Sequence, residues 1–320
     1  MASDDVFLVT GAQGCIGAWV VRDILARGAR PVVFDLQRDP RRLEQVLDSG
    51  DLDKVDFVQG DVTDLASVEG ALRDSGAAHV IHLAGLQVPF CKADPLAGAR
   101  VNVLGTLHVF EAAKRRGLGR VVYASSAAVY GAEGTDAVDE SVAPAPGTHY
   151  GVYKQANEGN ARVYWQDDGF PSVGLRPLTV YGVARDQGLT SGPTTAMKAA
   201  VLGRPWTIGF RGQTDFLYTA DAAAAFVECA LRAPDGAQVY NLHGESVDVR
   251  RVVELIGAPD GSIRIDGPEL PIAGHLSDGA LRAALPGLPA TTLADGVADT
   301  MARFRRLQEE GRLPTEDLER

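Results

Sequence analysis

The sequence predicts an α/β architecture, a doubly wound parallel sheet that carries a smaller C-terminal lobe. Three observations predict it. Short apolar runs alternate with helical stretches through the first 180 residues, a glycine loop follows the first run directly, and the alternation weakens afterwards. The 320 residues are 45% hydrophobic and 23% charged, which supplies a sizeable core and does not suit a disordered chain. Acid exceeds base, 42 Asp+Glu against 31 Lys+Arg, for a formal net charge of −11. That balance speaks against binding a phosphate backbone, so nucleic acid is not expected as a partner. Cys15, Cys91 and Cys229 stand far apart with no C-x-x-C pair, so neither a disulfide framework nor a cysteine zinc site is expected, and a reducing cytoplasm fits best. His82, His149, His243 and His275 show no metal-binding spacing either, so no metal is expected. The first residues carry acid where a secretory signal needs base, and no apolar run reaches the roughly 20 residues of a membrane span. A soluble protein without a membrane partner is expected.

Residues 6–10 form a continuous apolar run ended by glycine, the pattern of a central strand buried on both faces. A helix is expected from about 16 to 27, further strands at 31–35, 55–58 and 78–83, and helical stretches near 41–47 and 65–73. Helical periodicity returns over 102–116, and the strand-like run 120–124 ends in Ser125 and Ser126. Beyond 180, residues 182–193 read as a loop rich in Gly, Thr and Asp, 194–202 as a helix, and 206–208 and 216–218 as short strands. An alanine-rich helix is expected over 221–232, a strand rejoining the main sheet over 238–241, and a closing helix over 293–308.

Gly11, Gly14 and Gly17 form a G-x-x-G-x-x-G loop, with Gln13, Cys15 and Ile16 inside it, between the first strand and the first helix. Such a loop lets backbone N–H groups approach a pyrophosphate, whose charge the helix N-terminus stabilises. Asp35 closes the second strand, where a carboxylate accepts hydrogen bonds from both ribose hydroxyls and repels a 2′-phosphate. Loop, helix and acid in that order make the sheet Rossmann-type and NAD the expected cofactor. Arg38, Arg41 and Arg42 lie nearby and keep NADP open as an alternative, although they read as a solvated helix face. Asp61, followed by Val62 after the third strand, is placed for the adenine edge or as a cap for the helix starting near Asp64. Residues 1–180 are thus expected to form the NAD-binding domain and 181–320 the smaller substrate-binding lobe, with 216–245 returning to the first.

Tyr150 and Lys154 stand four residues apart, a spacing that puts both on one helix face. A phenol with a pKa near 10 is a poor base at neutral pH, but a neighbouring ammonium and a positive nicotinamide ring favour its phenolate. Tyr150 then accepts the proton of a substrate hydroxyl as hydride leaves carbon. Tyr153 is the other phenol nearby, but Asn157 follows it at the same spacing, so it lacks a lysine partner and reads as packing.

Together these segments resemble the extended short-chain dehydrogenase/reductases, in their NAD-dependent epimerase/dehydratase branch. The resemblance runs over nearly the whole chain, through TGAQGCIG (10–17), GDVTD (60–64), HLAG (82–85), VNVLGT (101–106), SSAAVYG (125–131), Tyr150 with Lys154, and RPLTVYG (176–182). It implies that Ser126 hydrogen-bonds the reacting oxygen, with Ser125 as runner-up, that Tyr150 is the acid/base, and that Lys154 holds the nicotinamide ribose. It also implies a cofactor cleft lined by Leu36, Leu83, Ala84, Gly85 and Ala124, supported by Asn102, with Pro177, Thr179 and Val180 beside the nicotinamide. A homodimer through helices near 94–116 and 148–168 is a further implication.

The chain departs from that family pattern in two ways. Dehydratases place a carboxylate directly after the catalytic Ser or Thr, and here Ala127 and Ala128 follow Ser126, so alcohol oxidation or epimerisation is expected instead. Nucleotide-sugar epimerases hold the substrate diphosphate with arginines, because paired phosphates call for forked cationic donors. Here Thr214 stands in the first of those positions, no R-P-G-D segment follows Gly267, and Thr179 replaces the usual Asn. The expected substrate is therefore a hydroxylated compound smaller or less charged than a nucleotide sugar, bound by Gln87, Ser126, Thr179, Ser191, Phe210 and Arg211. Phe210 reads equally as core and Gln87 as a solvated loop residue. A UDP-sugar 4-epimerase with tightly held NAD is the alternative; a non-catalytic NAD sensor is disfavoured by the intact Ser, Tyr and Lys set.

Overall fold

The computed structural model describes residues 5–131, 137–270, 272 and 274–319. Its strands are β1 (Val6–Thr10), β2 (Arg30–Asp35), β3 (Asp56–Gln59), β4 (His79–His82), β5 (Val121–Ala124), β6 (Ser172–Arg176), β7 (Thr179–Tyr181), β8 (Trp206–Ile208), β9 (Gln213–Tyr218), β10 (Ala237–Asn241), β11 (Glu245–Asp248) and β12 (Ile263–Ile265). The helices are α1 (Cys15–Ala26), α2 (Arg41–Val46), α3 (Leu65–Ser75), α4 (Val88–Ala93), α5 (Pro95–Ala99), α6 (Gly105–Arg116), α7 (His149–Asp168), α8 (Gly192–Val201), α9 (Thr219–Arg232), α10 (Val249–Ile256), α11 (Gly279–Ala284) and α12 (Leu293–Glu309).

Seven strands form one parallel sheet in the order β10-β6-β5-β4-β1-β2-β3. This is the doubly wound Rossmann-type fold that the alternation of runs predicts. β1 shows why its strands read as unbroken apolar runs. Phe7 and Val9 enter the core that contains Trp19, Val20 and Ile24 of α1 and Phe226 and Val227 of α9. Val6 and Leu8 enter the opposite core, with Val68 and Leu72 of α3 and Val109 and Phe110 of α6. Both faces are dry, so alternation with polar residues would bury unpaired groups.

The C-terminal half is built on a three-stranded sheet, β11-β9-β7, and a two-stranded one, β12-β8. β10 pairs in parallel with β6 at the edge of the large sheet, while β9 belongs to the small one. The sequence does not announce β6, β11, β12 or α10 as elements. β11 and β12 have four and three residues, too short for a period to show, and β6 carries a glycine in its middle.

Two local features place the site. Between α5 and α6 the helix widens into a π-helical turn at Arg100–Leu104, which sets Asn102 inward. Beyond β7 the chain bends back through Ala184, whose φ of 72° makes it the one non-glycine residue in the left-handed region among those described. That conformation costs about 1–3 kcal/mol and persists only where surrounding contacts over-determine it. Here Trp19 Nε1 donates to Val183 O at 2.9 Å and Arg185 N to Gly182 O at 3.1 Å.

A buried polar network ties α7 to β6 and β10 of the large sheet. Arg176, at the end of β6, donates from Nε to Glu158 Oε1 at 2.7 Å and from Nη2 to Oε2 at 2.6 Å. Both side chains are largely buried, at 5% and 9% exposure. Arg176 also donates to the Tyr130 hydroxyl, which in turn bonds Asn241 Oδ1 at 2.8 Å.

Candidate active site

A cavity of about 590 Å3 opens at the carboxyl ends of β1 and β4, where the strand order reverses direction. In open α/β sheets that switch point is the crevice in which ligands bind. The glycine loop forms one wall. Gly11 is at φ 65°, and a Cβ there would lie 2.6 Å from Ala84 N, so only glycine lets the β1 and β4 loops meet. Gly14 precedes α1 without any side-chain cap, leaving the first-turn N–H groups of Cys15, Ile16 and Gly17 without a side-chain acceptor beside the cavity.

Asp35, at the end of β2, accepts from Gln13 N at 3.2 Å and Leu36 N at 3.1 Å and lines the same cavity. Asp61 lines it too; its carboxylate accepts from Thr63 N at 2.8 Å, and the cap of α3 is Asp64 instead. Val62, Leu83, Ala84, Gly85 and Ala124 complete this half, and Pro177, Thr179 and Val180 reach it from the strand pair β6 and β7. Asn102 does not line the cavity. It lies behind the wall, donating to Leu86 O at 3.0 Å and accepting from Leu86 N at 2.9 Å, so it shapes the 83–87 segment rather than touching a cofactor.

Of the three arginines, Arg38 and Arg41 are exposed, as a solvated face requires, and Arg42 is not. Arg41 is held by Asp39, with Nε to Oδ1 at 2.8 Å, and Arg38 lies over the Phe57 ring at 4.4 Å. Arg42 lines the cavity, half-buried, and is paired with Asp186.

The catalytic candidates converge at the other end. Thr148 caps α7 by accepting from Gly151 N at 3.1 Å, and a Cβ on Gly151 would lie 2.4 Å from Ala128 O. Glycine at 151 thus lets the first turn of α7 press against the 127–129 turn that follows β5. Tyr150 and Lys154 face one another, with Nζ 5.5 Å from the ring centre. Burial pushes the Tyr150 phenol above its ordinary range, while a hydrogen bond with the Ser126 hydroxyl pulls it back. Ser125 is the serine turned away: its hydroxyl donates to Glu158 Oε1 at 2.5 Å. Tyr153 donates to Pro95 O at 2.7 Å.

Lys154 is 5% exposed, and its ammonium donates to Ala124 O at 2.6 Å. An ammonium has three donors. A bound molecule offering hydroxyl acceptors fits this buried cation, and with the uncapped α1 terminus and Asp35 the residues present suit a dinucleotide. Burial pushes Lys154 down to about 8. A lysine depressed in the fold contributes stability that is present above its ordinary pKa and lost as pH falls through about 8. We expect Tm of the ligand-free protein, relative to Lys154→Met, to rise between pH 8 and 10.4, by the equivalent of roughly 3 kcal/mol. A constant difference across that range would show that Lys154 is not desolvated.

The substrate half departs from expectation. Gln87 lines the cavity, but Ser191, Phe210 and Arg211 do not. Phe210 is 2% exposed in the core, and Ser191 donates to Gly188 O at 2.9 Å. Arg211 is exposed, bridged through its backbone to Glu269. In their place the 185–190 segment contributes Arg185, Asp186, Leu189 and Thr190, with Val88, Pro89 and Phe90 opposite. In the sequence that segment reads only as a loop; the charged pair Arg185-Asp186 inside a glycine-rich stretch is the signal it offers. Among the described residues the cavity-lining cations are Arg42, Lys154 and Arg185. No group of three His, Cys, Asp or Glu among them is placed to hold a metal, and no described helix is long and apolar enough to cross a membrane.

The chain is similar along nearly its whole length to known enzymes. The UDP-glucose 4-epimerase of Mycolicibacterium smegmatis is 31% identical over 315 residues, covering 93% of this chain and 98% of the relative. The solved UDP-glucose 4-epimerase of Thermus thermophilus, in complex with NAD, is 29% identical, with a TM-score of 0.80 over 94% of this chain and 99% of that one. The 3 beta-hydroxysteroid dehydrogenase type 7 of Mus musculus is 42% identical over 129 residues, 39% of this chain and 34% of that protein. A family model, NAD dependent epimerase/dehydratase family, matches residues 7–242. The chain belongs to the NAD dependent epimerase/dehydratase family and is an enzyme that uses NAD.

Proposed function

We propose that this enzyme oxidises a secondary hydroxyl of a hydroxylated, sugar-like substrate that carries no nucleotide diphosphate, as a dehydrogenase or as an epimerase that returns the hydride to the opposite face. The observation that carries the substrate reading is one contact. Thr179 and Thr214, which stand where nucleotide-sugar epimerases carry Asn and Arg, share a buried hydrogen bond of 2.8 Å. The two replacements form one closed polar pair. Arg211, the arginine that the sequence offers for a diphosphate, lies off the cavity, which leaves Arg185 as the one cation that the 185–190 segment brings to the substrate side among the described residues.

NAD supplies, when bound, the hydride acceptor and donor. Tyr150 takes the hydroxyl proton, Ser126 orients the reacting oxygen, and the Lys154 ammonium favours the phenolate electrostatically. Ala127 and Ala128 leave no second acid/base beside Ser126, so dehydration is not proposed. Residues 1–180, joined by α9 and β10, serve the cofactor, and the rest of 181–320 serves the substrate. A homodimer is supported by Leu96 and Leu104 beside Val152 and Val163 of α7, all at least 42% exposed, on neighbouring helices. The free thiols of Cys15, Cys91 and Cys229 suit a cytoplasmic location.

The second reading is a UDP-sugar 4-epimerase, favoured by the end-to-end similarity to the Mycolicibacterium enzyme. Thermal shift with NAD present separates the two. A ligand at ~100 times its Kd stabilises by about 2.7 kcal/mol. We expect that response from free sugars, sugar acids or other secondary alcohols; a strong response to UDP-glucose alone overturns the proposal. Net NADH formation then marks a dehydrogenase, and interconversion without it an epimerase.

A further inference from the structure

We propose that Asp186 shares with Asp35 the choice of dinucleotide, by occupying the one arginine beside the ribose acid that could bind a 2′-phosphate. The positive charge near the ribose acid is real: Arg38, Arg41 and Arg42 all follow Asp35 within seven residues. Among the described residues only Arg42 of the three lines the cavity with Asp35. One residue separates the two groups. Gln13 donates its N–H to Asp35 at 3.2 Å and accepts from Arg42 Nη1 at its carbonyl at 3.1 Å.

Asp186 takes the rest of that guanidinium. Arg42 Nε lies 3.0 and 3.1 Å from the two carboxylate oxygens, and Nη2 donates to Oδ1 at 2.8 Å. This is the forked geometry that an arginine would otherwise offer to a phosphate. Asp186 comes from the loop after β7, 144 residues away in sequence. The left-handed Ala184 two residues earlier turns that loop back across the cleft. Asp35, Arg42 and Asp186 sum to one negative charge, which disfavours a phosphorylated ribose. Removing the Asp186 charge brings the sum to zero and frees a forked donor beside the ribose acid. Asp35 stays in place throughout, so the preference is shared between an acid on β2 and one from the opposite side of the cleft.

The experiment measures Kd of NAD and NADP by calorimetry on the purified protein, with no substrate, so its outcome is independent of the proposed reaction. In Asp186→Asn the ratio of the NADP to the NAD Kd should fall by about tenfold, the worth of a freed charge-assisted hydrogen bond. Adding Arg42→Gln to that variant should abolish the gain. Asp186→Ser gives the same test should the amide disturb the loop. An unchanged ratio in both single variants overturns the proposal, as does a gain that survives in the double variant.

Discussion

Replacing Tyr150 by phenylalanine is expected to lower kcat by about 10²–10⁴-fold, the contribution of a positioned acid/base. The substitution removes one hydroxyl and keeps the ring that lies 5.5 Å from the Lys154 ammonium. Tm and NAD affinity should therefore hold, which separates loss of proton transfer from loss of fold. The pH profile supplies a second readout. Burial raises the Tyr150 phenol while the Ser126 hydroxyl lowers it, so wild-type oxidation should accelerate with pH as the phenol ionises. The residual activity of the variant should lack that step. Full turnover in the phenylalanine variant would remove Tyr150 from the mechanism.

The largest stability effect is expected at Glu158. Glu158→Ala should cost about 3–5 kcal/mol, because it leaves the buried Arg176 guanidinium without its carboxylate. Two of the guanidinium's hydrogen bonds end on Glu158, as does that of the Ser125 hydroxyl. Urea unfolding should show the midpoint falling with little change in slope. Replacing both partners, as in Glu158→Met with Arg176→Met, should cost less than removing the acid alone, since no charge is then stranded. An alanine variant as stable as wild type would mean that water reaches Arg176. Loss of this pair should also loosen the β6 end, from which Pro177 and Thr179 reach the cavity.

Much of this molecule is legible in one dimension. The loop from Gly11 to Gly17, Asp35 and the Tyr150–Lys154 spacing are local patterns: each depends on neighbours along the chain or on a single helical turn. Their chemistry follows from residue type, and the cavity gathers them as expected. The strands buried on both faces are legible for the same reason, since a dry environment on each side leaves no room for polar alternation. The substrate side is not. Residue type alone suggests Ser191, Phe210 and Arg211 for the site, and each lies elsewhere because short strands and loops carry no period from which direction can be read.

What the sequence determined by itself is the cofactor class, the candidate trio of Ser126, Tyr150 and Lys154, and the layered sheet. The tertiary structure alone decided which charges remain available. Arg42 looks free until Asp186 arrives from across the cleft, and Ser125 stands as runner-up to Ser126 until Glu158 takes its hydroxyl. Thr179 and Thr214 look like two separate losses until they are found bonded to each other. Each of these pairings joins residues 33 to 144 positions apart. Pairing energies depend on distances in space, and no spacing along the chain encodes a contact of that range.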